Sequence, residues 1–286
     1  MINKLLKGKR EIIFDKMATE YISRAWKIYK KNYLSFIASE LVMGLIPGLL
    51  FFLGFMVFFV SVLPSVDWSL IINTADEAIL RQYFTQLFRN PNFLGSVMVG
   101  FLGMAVFVII GFIVALYLSI GQVGMAYESL GGKTKLRTLF NVSGRLGFRW
   151  VLTGLLWLLI ILISIIPVII IGVFTLGLGF LALFLLIPIV SLMQPAMVVD
   201  DASPIGCFKK AWHAGKKNYL NLFALWLIYF AISAGISFFG AIFSYIPFFG
   251  WLFQLGANLF LWLVVCPMML ISFVDYYARN RSGARK

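Results

Sequence analysis

The chain has 286 residues, of which 62% are hydrophobic and only 12% are charged, and its mean hydropathy is +0.96. A soluble domain carries about twice that charged fraction, so a soluble fold is excluded and the apolar segments are expected to face lipid. The apolar runs are long and continuous rather than alternating, which predicts an all-α integral membrane protein.

The formal net charge of +13 does not indicate a nucleic-acid partner, because the basic residues flank the apolar runs. Lysines and arginines in that position orient a membrane protein and contact anionic headgroups. Membrane lipids are therefore the expected partners. Two cysteines and one histidine do not make a recognisable zinc set, so no metal and no cofactor are expected. The first residues lack the pattern of a cleaved signal peptide, so the first span is expected to direct insertion.

The chain begins with a basic segment from Glu11 to Asn32 that has apolar residues on one helical face and lysines on the other. Such a helix could lie in the headgroup plane or pack on the protein's own loops. The apolar run Tyr33 to Pro64 follows, and it exceeds the ~20 residues of one span. It is therefore expected to be tilted, bent or continuous with the preceding helix. Gly44 and Gly48 have a spacing that permits close helix approach.

A polar loop from Ser65 to Asn92 comes next. Within it, Thr74 starts a capping-box pattern and Asn90-Pro91 is a stop signal, which predicts an outer-surface helix at about residues 75–89. This helix could be a packing insertion or a lid over a cavity.

The second span is predicted within Phe93 to Tyr127. No charged residue occurs from Trp150 to Val199 or from Asn218 to Val274. Each of these stretches has the length of two spans, so each is expected to form a helical hairpin, and the predicted total is six transmembrane helices.

The basic residues are distributed unequally between the two sides of this layout. Of the 24 lysines and arginines, all but Arg81 and Arg89 lie before the first span, between the hairpins or after the last span. The positive-inside rule therefore places both termini in the cytoplasm.

Repeated patterns predict that the hairpins are copies of one another. Ala25-Trp26 precedes Lys30-Lys31-Asn32-Tyr33-Leu34, and Ala211-Trp212 precedes Lys216-Lys217-Asn218-Tyr219-Leu220 at the same spacing. The first helix of each hairpin ends with a serine followed three residues later by a proline, at Ser61–Pro64, Ser164–Pro167 and Ser244–Pro247. The second helices carry related segments 72 residues apart, at Gln122–Met125, Gln194–Met197 and Cys266–Met269.

We therefore expect one polytopic domain over residues 1–286, built from three parallel helical-hairpin repeats, each preceded by a cytoplasmic amphipathic basic helix. The repeats cover residues 11–127, 133–199 and 203–275, and a basic tail covers 276–286.

Three polar residues in the apolar runs are candidates for a cavity or an intramembrane site: Glu40, Gln122 and Gln194. Glu40 is an ionisable residue inside a span, where a charge is costly unless it pairs. Its expected partners are Arg145, Arg149 or Lys217, and a structural ion pair is the alternative to a functional role. Gln122 and Gln194 face either a cavity or a neighbouring helix.

The basic and aromatic residues beside the spans are candidates for contact with lipid. The expected headgroup contacts are Lys30, Lys31, Asn32, Arg145, Arg149, Lys209, Lys210, Lys216, Lys217 and Asn218. The expected interface anchors are Trp26, Tyr33, Trp212 and Tyr219. The pair Asp200-Asp201 precedes a helix capped by Ser203-Pro204, so we interpret it as a helix start rather than a metal site.

The run VVDDASPIGCFKKAWHAGKKNYLNLF resembles a segment of poorly characterised prokaryotic six-span membrane proteins. These are similar to the membrane domain attached to some glycerophosphodiester phosphodiesterases. The resemblance rests on Asp200, Asp201, Ser203, Lys209, Lys210 and Trp212. Gly206-Cys207 stands where that family often has a Glu-Ala pair. No phosphodiesterase domain is recognised in this chain, so the resemblance implies the layout and not that activity.

The sequence contains no recognisable nucleophile with its base and no phosphate loop. The expected function is that of a non-enzymatic, lipid-associated membrane protein that moves or shelters a small or lipidic molecule. The alternative is a membrane scaffold that docks a partner protein, and the third interpretation is a membrane-embedded enzyme. The expected location is the plasma membrane of a prokaryote.

Overall fold

The structure, a computed structural model, describes residues 2–74, 76–175, 178–246 and 249–281. Side chains are described throughout this part except at residues 2–17, 161, 164–168, 170–173 and 178–183. Its regular elements are helices, and none of the described residues lies in a strand. The predicted all-helical class is confirmed.

Eleven α-helices follow one another along the described part of the chain. They are α1 (Ile2–Val62), α2 (Trp68–Asn73), α3 (Glu77–Leu87), α4 (Pro91–Gly131), α5 (Leu136–Phe174), α6 (Leu178–Val190), α7 (Met193–Asp200), α8 (Pro204–Lys217), α9 (Tyr219–Phe243), α10 (Gly250–Phe260) and α11 (Cys266–Asn280). A 3₁₀ turn covers Leu63–Ser65, and a π-helical segment, Leu261–Val265, joins α10 to α11.

Within the described part, four helical segments are long and apolar enough to cross a membrane. They are Ala18–Ser65, Pro91–Gly131, Tyr219–Phe243 and Gly250–Asn280. A fifth is added if Phe184–Asp200 and Pro204–Lys217, which are bent by 112° relative to each other, form one span. These segments indicate a multi-pass membrane protein.

The chain divides into two compact units. One contains the described residues up to Leu41 and from Leu116 onward, and the other is Val42–Ala115.

In the unit Val42–Ala115, α1 and α4 pack closely at glycines of α4. A Cβ atom at Gly103 would collide with the side chain of Val57, and one at Gly100 would come within 3.0 Å of Phe58. Phe58 also packs on Phe101, with 4.9 Å between ring centroids. The expected close approach at Gly48 is not found, since a Cβ there would meet no described atom within 4 Å.

The polar segment of the same unit holds two short helices. Asp67 caps α2 by accepting from the Leu70 N–H at 3.1 Å, and Asp76 caps α3 by accepting from the Ala78 N–H at 2.8 Å. A helix therefore occupies the predicted segment, but its cap is Asp76 rather than Thr74. The Asn90-Pro91 pair begins α4 rather than ending α3, because proline suits the first turn of a helix.

In the other unit, the first half of α1 packs on α11. Tyr21, Ala25 and Tyr29 are buried, and the Tyr21 ring lies 5.5 Å from the Tyr276 ring. Arg279 bonds Glu20 across this contact at 3.0 Å. The first amphipathic segment therefore packs on a helix, α11, rather than on the loops of the second interpretation, and its contact with headgroups stays a prediction.

The basic helices that precede the predicted hairpins differ from the expectation. The first two are continuous with their apolar helices, α1 and α5, because no proline or unusual backbone conformation interrupts them at the polar-to-apolar boundary. Only α8 is separate. Pro204 begins it, and Asn218, with φ −137° and ψ 50°, separates it from α9.

Candidate functional site: a polar centre around Glu40

The Glu40 side chain lies on α1 and is only 5% exposed. The side chains of Gln122, on α4, and Trp262, in the π-helical segment, interact with its carboxyl group as hydrogen-bond donors. We call Tyr29, Glu40, Gln122 and Trp262 the polar centre; all four belong to the same compact unit. Its donors are neutral, so they offset only part of the cost of a buried negative charge.

The predicted ion pairs of Glu40 are wrong. Arg149 instead binds Asp201, with 2.8 Å between the guanidinium Nη1 and the carboxylate Oδ1. Arg145 and Lys217 form no ion pair with Glu40 within the described part of the chain.

The π-helical segment Leu261–Val265 ends two residues before Pro267. Proline has no N–H to offer the carbonyl four residues earlier, which is that of Leu263. The hydroxyl of Tyr29 donates to this carbonyl at 2.8 Å and supplies the donor that proline lacks. The widened backbone also carries Trp262, which lies beside Glu40. π-helical segments of this kind are frequent at functional sites.

Gln194 bonds a different residue from Gln122. Its Nε2 donates to the hydroxyl of Ser119 at 3.2 Å. Ser119 lies one turn from Gln122 on α4, so the two glutamines reach the same face of that helix. Both glutamines and Ser119 are partly exposed. For Gln194, the structure shows the predicted contact between helices.

Three members of this region were not predicted from the sequence: Tyr29, Ser119 and Trp262. Pro267 was a usable signal, since it leaves the Leu263 carbonyl without its helical donor. No local pattern identifies Tyr29 as the replacement donor, because 234 residues separate it from Leu263.

The two aspartates before α8 form ion pairs with lysine and arginine side chains and do not belong to that helix. Asp200 is the last residue of α7, and Asp201 has the left-handed backbone conformation, with φ 47°. Asp200 pairs with Arg281 at 3.0 Å and with Lys210 at 3.8 Å. The cap of α8 is Ser203, as predicted, because its hydroxyl accepts from the Gly206 N–H at 3.1 Å.

Two residues predicted to contact headgroups, Asn32 and Asn218, form hydrogen bonds within the protein instead. Asn32 is 4% exposed, its Nδ2 donates to the Gly132 carbonyl at 3.2 Å, and its Oδ1 accepts from the Thr134 N–H at 2.9 Å. Asn218 donates to Oδ1 of Asn280 at 2.6 Å. Both side-chain amides therefore bond within the protein, which does not favour a role for them at the lipid surface.

The other predicted lipid contacts fall into two groups. Arg149 and Lys210 are in ion pairs with aspartates. The exposed basic residues are Lys30, Lys31, Arg145, Lys209, Lys216 and Lys217. Among the predicted anchors, Trp26, Tyr33 and Trp212 are exposed, whereas the Tyr219 hydroxyl donates to the Leu185 carbonyl at 2.6 Å.

Histidine, cysteine, aspartate and glutamate do not gather in any group of three that could hold a metal ion within the described residues. Comparisons of the chain with protein-family models, with curated proteins and with solved structures found no match.

Proposed function

We propose that the chain is a non-enzymatic, lipid-associated membrane protein that moves or shelters a small or lipidic molecule, which it binds at the polar centre. Glu40 carries this proposal. It is a buried carboxyl group in an apolar helix, and its described neighbours are neutral donors. A charged side chain inside a span costs about 3 kcal/mol or more unless it is compensated. A polar group of a bound molecule would compensate the Glu40 carboxylate, which explains why the protein has an acid at this position.

The partly exposed amides support binding at this centre. Gln122 lies on the same face of α4 as Ser119, Gln194 of α7 bonds Ser119, and neither glutamine is fully buried. Amides and hydroxyls provide both donors and acceptors. Together with the Glu40 carboxyl group they can bind a polar headgroup or a small polar molecule, while the surrounding apolar helices accept its hydrocarbon part.

We further propose six spans arranged as three hairpins, because a residue at the start of each predicted hairpin bonds to a residue just beyond the end of that hairpin. The three contacts are Asn32 to Gly132 (3.2 Å), Arg149 to Asp201 (2.8 Å) and Asn218 to Asn280 (2.6 Å). After each of the first two predicted hairpins, an acidic residue accepts a hydrogen bond from a side chain ten residues later. The Glu128 carboxylate accepts from the Thr138 hydroxyl, and the Asp200 main-chain carbonyl accepts from Lys210. One observation weakens the repeat: α5 continues to Phe174, beyond the second of the three serine–proline signatures.

The proposed function is tested by replacing Glu40 with glutamine and measuring what the protein retains. The full chain is purified in a mild detergent, and native mass spectrometry with chemical extraction quantifies bound non-protein molecules. We expect the wild type to retain a molecule that Glu40→Gln loses, because the amide keeps the shape but removes the charge. Proteoliposomes with a fluorescent phosphatidylethanolamine then report transfer between leaflets, which separates moving from sheltering.

Glu77→Gln is the matched control, because Glu77 is an exposed acid on α3 that pairs only with Arg81 in the next turn. It should retain the molecule as the wild type does. Equal occupancy in the wild type and Glu40→Gln, at equal melting temperature, would contradict the proposal.

A further inference from the structure

The helix α8 runs in a direction unlike that of the apolar segment before it. Phe184–Asp200 and α8 are bent by 112° relative to each other. If the apolar segment crosses the membrane, α8 runs closer to the membrane plane than to its normal. The geometry is that of an interfacial helix, which lies at the boundary between headgroups and acyl chains.

The two faces of α8 have different chemistry. The inner face has small side chains, at Cys207, Ala211 and Ala214, which are almost completely buried. The outer face exposes Ile205 at 65% and Trp212 at 43%. An exposed tryptophan on a basic helix is typical of a side chain at the membrane interface.

The lysines of α8 are not equivalent. Lys210 is held by Asp200, through the carboxylate at 3.8 Å and the main-chain carbonyl at 3.1 Å. Lys209, Lys216 and Lys217 are exposed, and none of them forms an ion pair within the described residues. Three positive charges are therefore available to an external anion.

Two concave surfaces adjoin these charges. One, of about 320 Å³, is lined by residues 216–221 and so includes Lys216 and Lys217. The other, of about 350 Å³, is lined by Phe208, Lys209 and Trp212. Phe208, Trp212 and Lys216 follow one another at four-residue intervals, so they form one stripe along the helix. An apolar surface therefore continues into a positively charged one.

We propose that this outer face of α8, together with the first turn of α9, is a binding site for an anionic phospholipid. Lys216 and Lys217 bind the headgroup phosphate, and Lys209 adds a third positive charge. Phe208 and Trp212 receive the glycerol end of an acyl chain. Charge complementarity identifies the ligand as anionic, and the apolar stripe beside the lysines identifies it as a lipid. This site is separate from the polar centre and does not depend on the function proposed for it.

The test measures lipid retention by the full chain in detergent micelles. Dioleoyl phosphatidylglycerol or dioleoyl phosphatidylcholine is added, and native mass spectrometry counts bound lipids. We expect the wild type to retain phosphatidylglycerol in preference to phosphatidylcholine. Lys216→Gln with Lys217→Gln should weaken phosphatidylglycerol binding roughly thirtyfold, because each of the two basic residues near an anionic lipid contributes about 1 kcal/mol. Added NaCl should weaken wild-type binding in the same direction.

Two controls match this double variant. Arg81→Gln with Arg89→Gln removes the same number of exposed positive charges from the polar loop Ser65 to Asn92. Lys210→Gln removes a lysine that is already paired with Asp200. Both should bind phosphatidylglycerol as the wild type does. Lys216→Arg with Lys217→Arg keeps the charge and should keep the binding, which separates loss of the site from loss of the fold.

Three results would overturn the proposal. The first is equal retention of phosphatidylglycerol by the wild type and the glutamine double variant. The second is an equal loss of phosphatidylglycerol binding in Arg81→Gln with Arg89→Gln, which removes the same number of charges. The third is binding of soluble poly-glutamate, but not of phosphatidylglycerol, through Lys216 and Lys217. In that case the surface docks an acidic protein and not a lipid.

Discussion

At the scale of single residues, Pro267 and Tyr29 together shape the polar centre. Pro267 cannot donate to the Leu263 carbonyl, and Tyr29 does so from another helix at 2.8 Å. Tyr29 is 5% exposed, so its hydroxyl is a buried polar group whose partner is a main-chain oxygen. A carbonyl left without a donor in an apolar bundle costs free energy, which this contact avoids.

Tyr29→Phe should therefore destabilise the protein by about 1 kcal/mol, because it removes the donor and leaves the Leu263 carbonyl unsatisfied. The measurement is thermal unfolding in detergent, followed by tryptophan fluorescence. Tyr33→Phe is the control, since the Tyr33 side chain is 47% exposed. Identical melting of Tyr29→Phe and the wild type would show that this hydrogen bond contributes nothing to stability.

At the scale of helices, close packing depends on where a glycine meets a neighbouring backbone. Gly121 on α4 faces α5, and a Cβ atom there would collide with the Leu139 carbonyl oxygen and the Ser143 hydroxyl. The Leu139 obstacle is main chain, so it cannot move aside as the end of a flexible side chain can. The Gly44–Gly48 spacing predicted a contact of this type, yet a Cβ at Gly48 meets no described atom within 4 Å.

Gly121→Ala should accordingly destabilise the protein by roughly 1–3 kcal/mol, because the added methyl group forces α4 away from α5. Gly48→Ala should leave stability unchanged or raise it by up to about 1 kcal/mol, since alanine favours a helix over glycine. Denaturant titration of both variants in the same detergent gives the comparison. A larger loss in Gly48→Ala than in Gly121→Ala would contradict this account of the packing.

At the scale of the whole molecule, charge and hydropathy indicate a multi-pass membrane protein whose basic residues lie outside its long apolar runs. Asp200, Asp201 and Asp275 are each paired with one of those basic residues. Glu40 differs from them because the described part of the chain provides it with no cation. This contrast is the basis for assigning it a function instead of a role in stability.

The positive-inside rule predicts opposite sides for two exposed positions, Asn73 at the end of α2 and Lys133 between α4 and α5. In a variant without Cys207 and Cys266, a cysteine at Asn73 should react with a membrane-impermeant maleimide added outside intact cells. A cysteine at Lys133 should react only after the cells are opened. Labelling of both positions from one side would refute the predicted orientation.

The sequence by itself determined the membrane class, the all-helical class and the location of the charges. These depend on composition and on local periodicity, which each segment carries independently of its neighbours. It also predicted Glu40, Gln122 and Gln194 as unusual residues, because polar groups in an apolar run are visible without a structure. The cap of α8 at Ser203 followed from local chemistry in the same way.

Only the tertiary structure decided which residues these groups contact. Glu40 interacts with Gln122 and Trp262 and not with the predicted cations, and Asn32 bonds the backbone about a hundred residues later. Several contacts are compatible with the sequence for each of these side chains, and the packing of distant helices determines which one forms. The division of the α8 lysines into paired and available groups has the same origin. Lys210 differs from Lys216 and Lys217 only because the end of α7 brings Asp200 beside it.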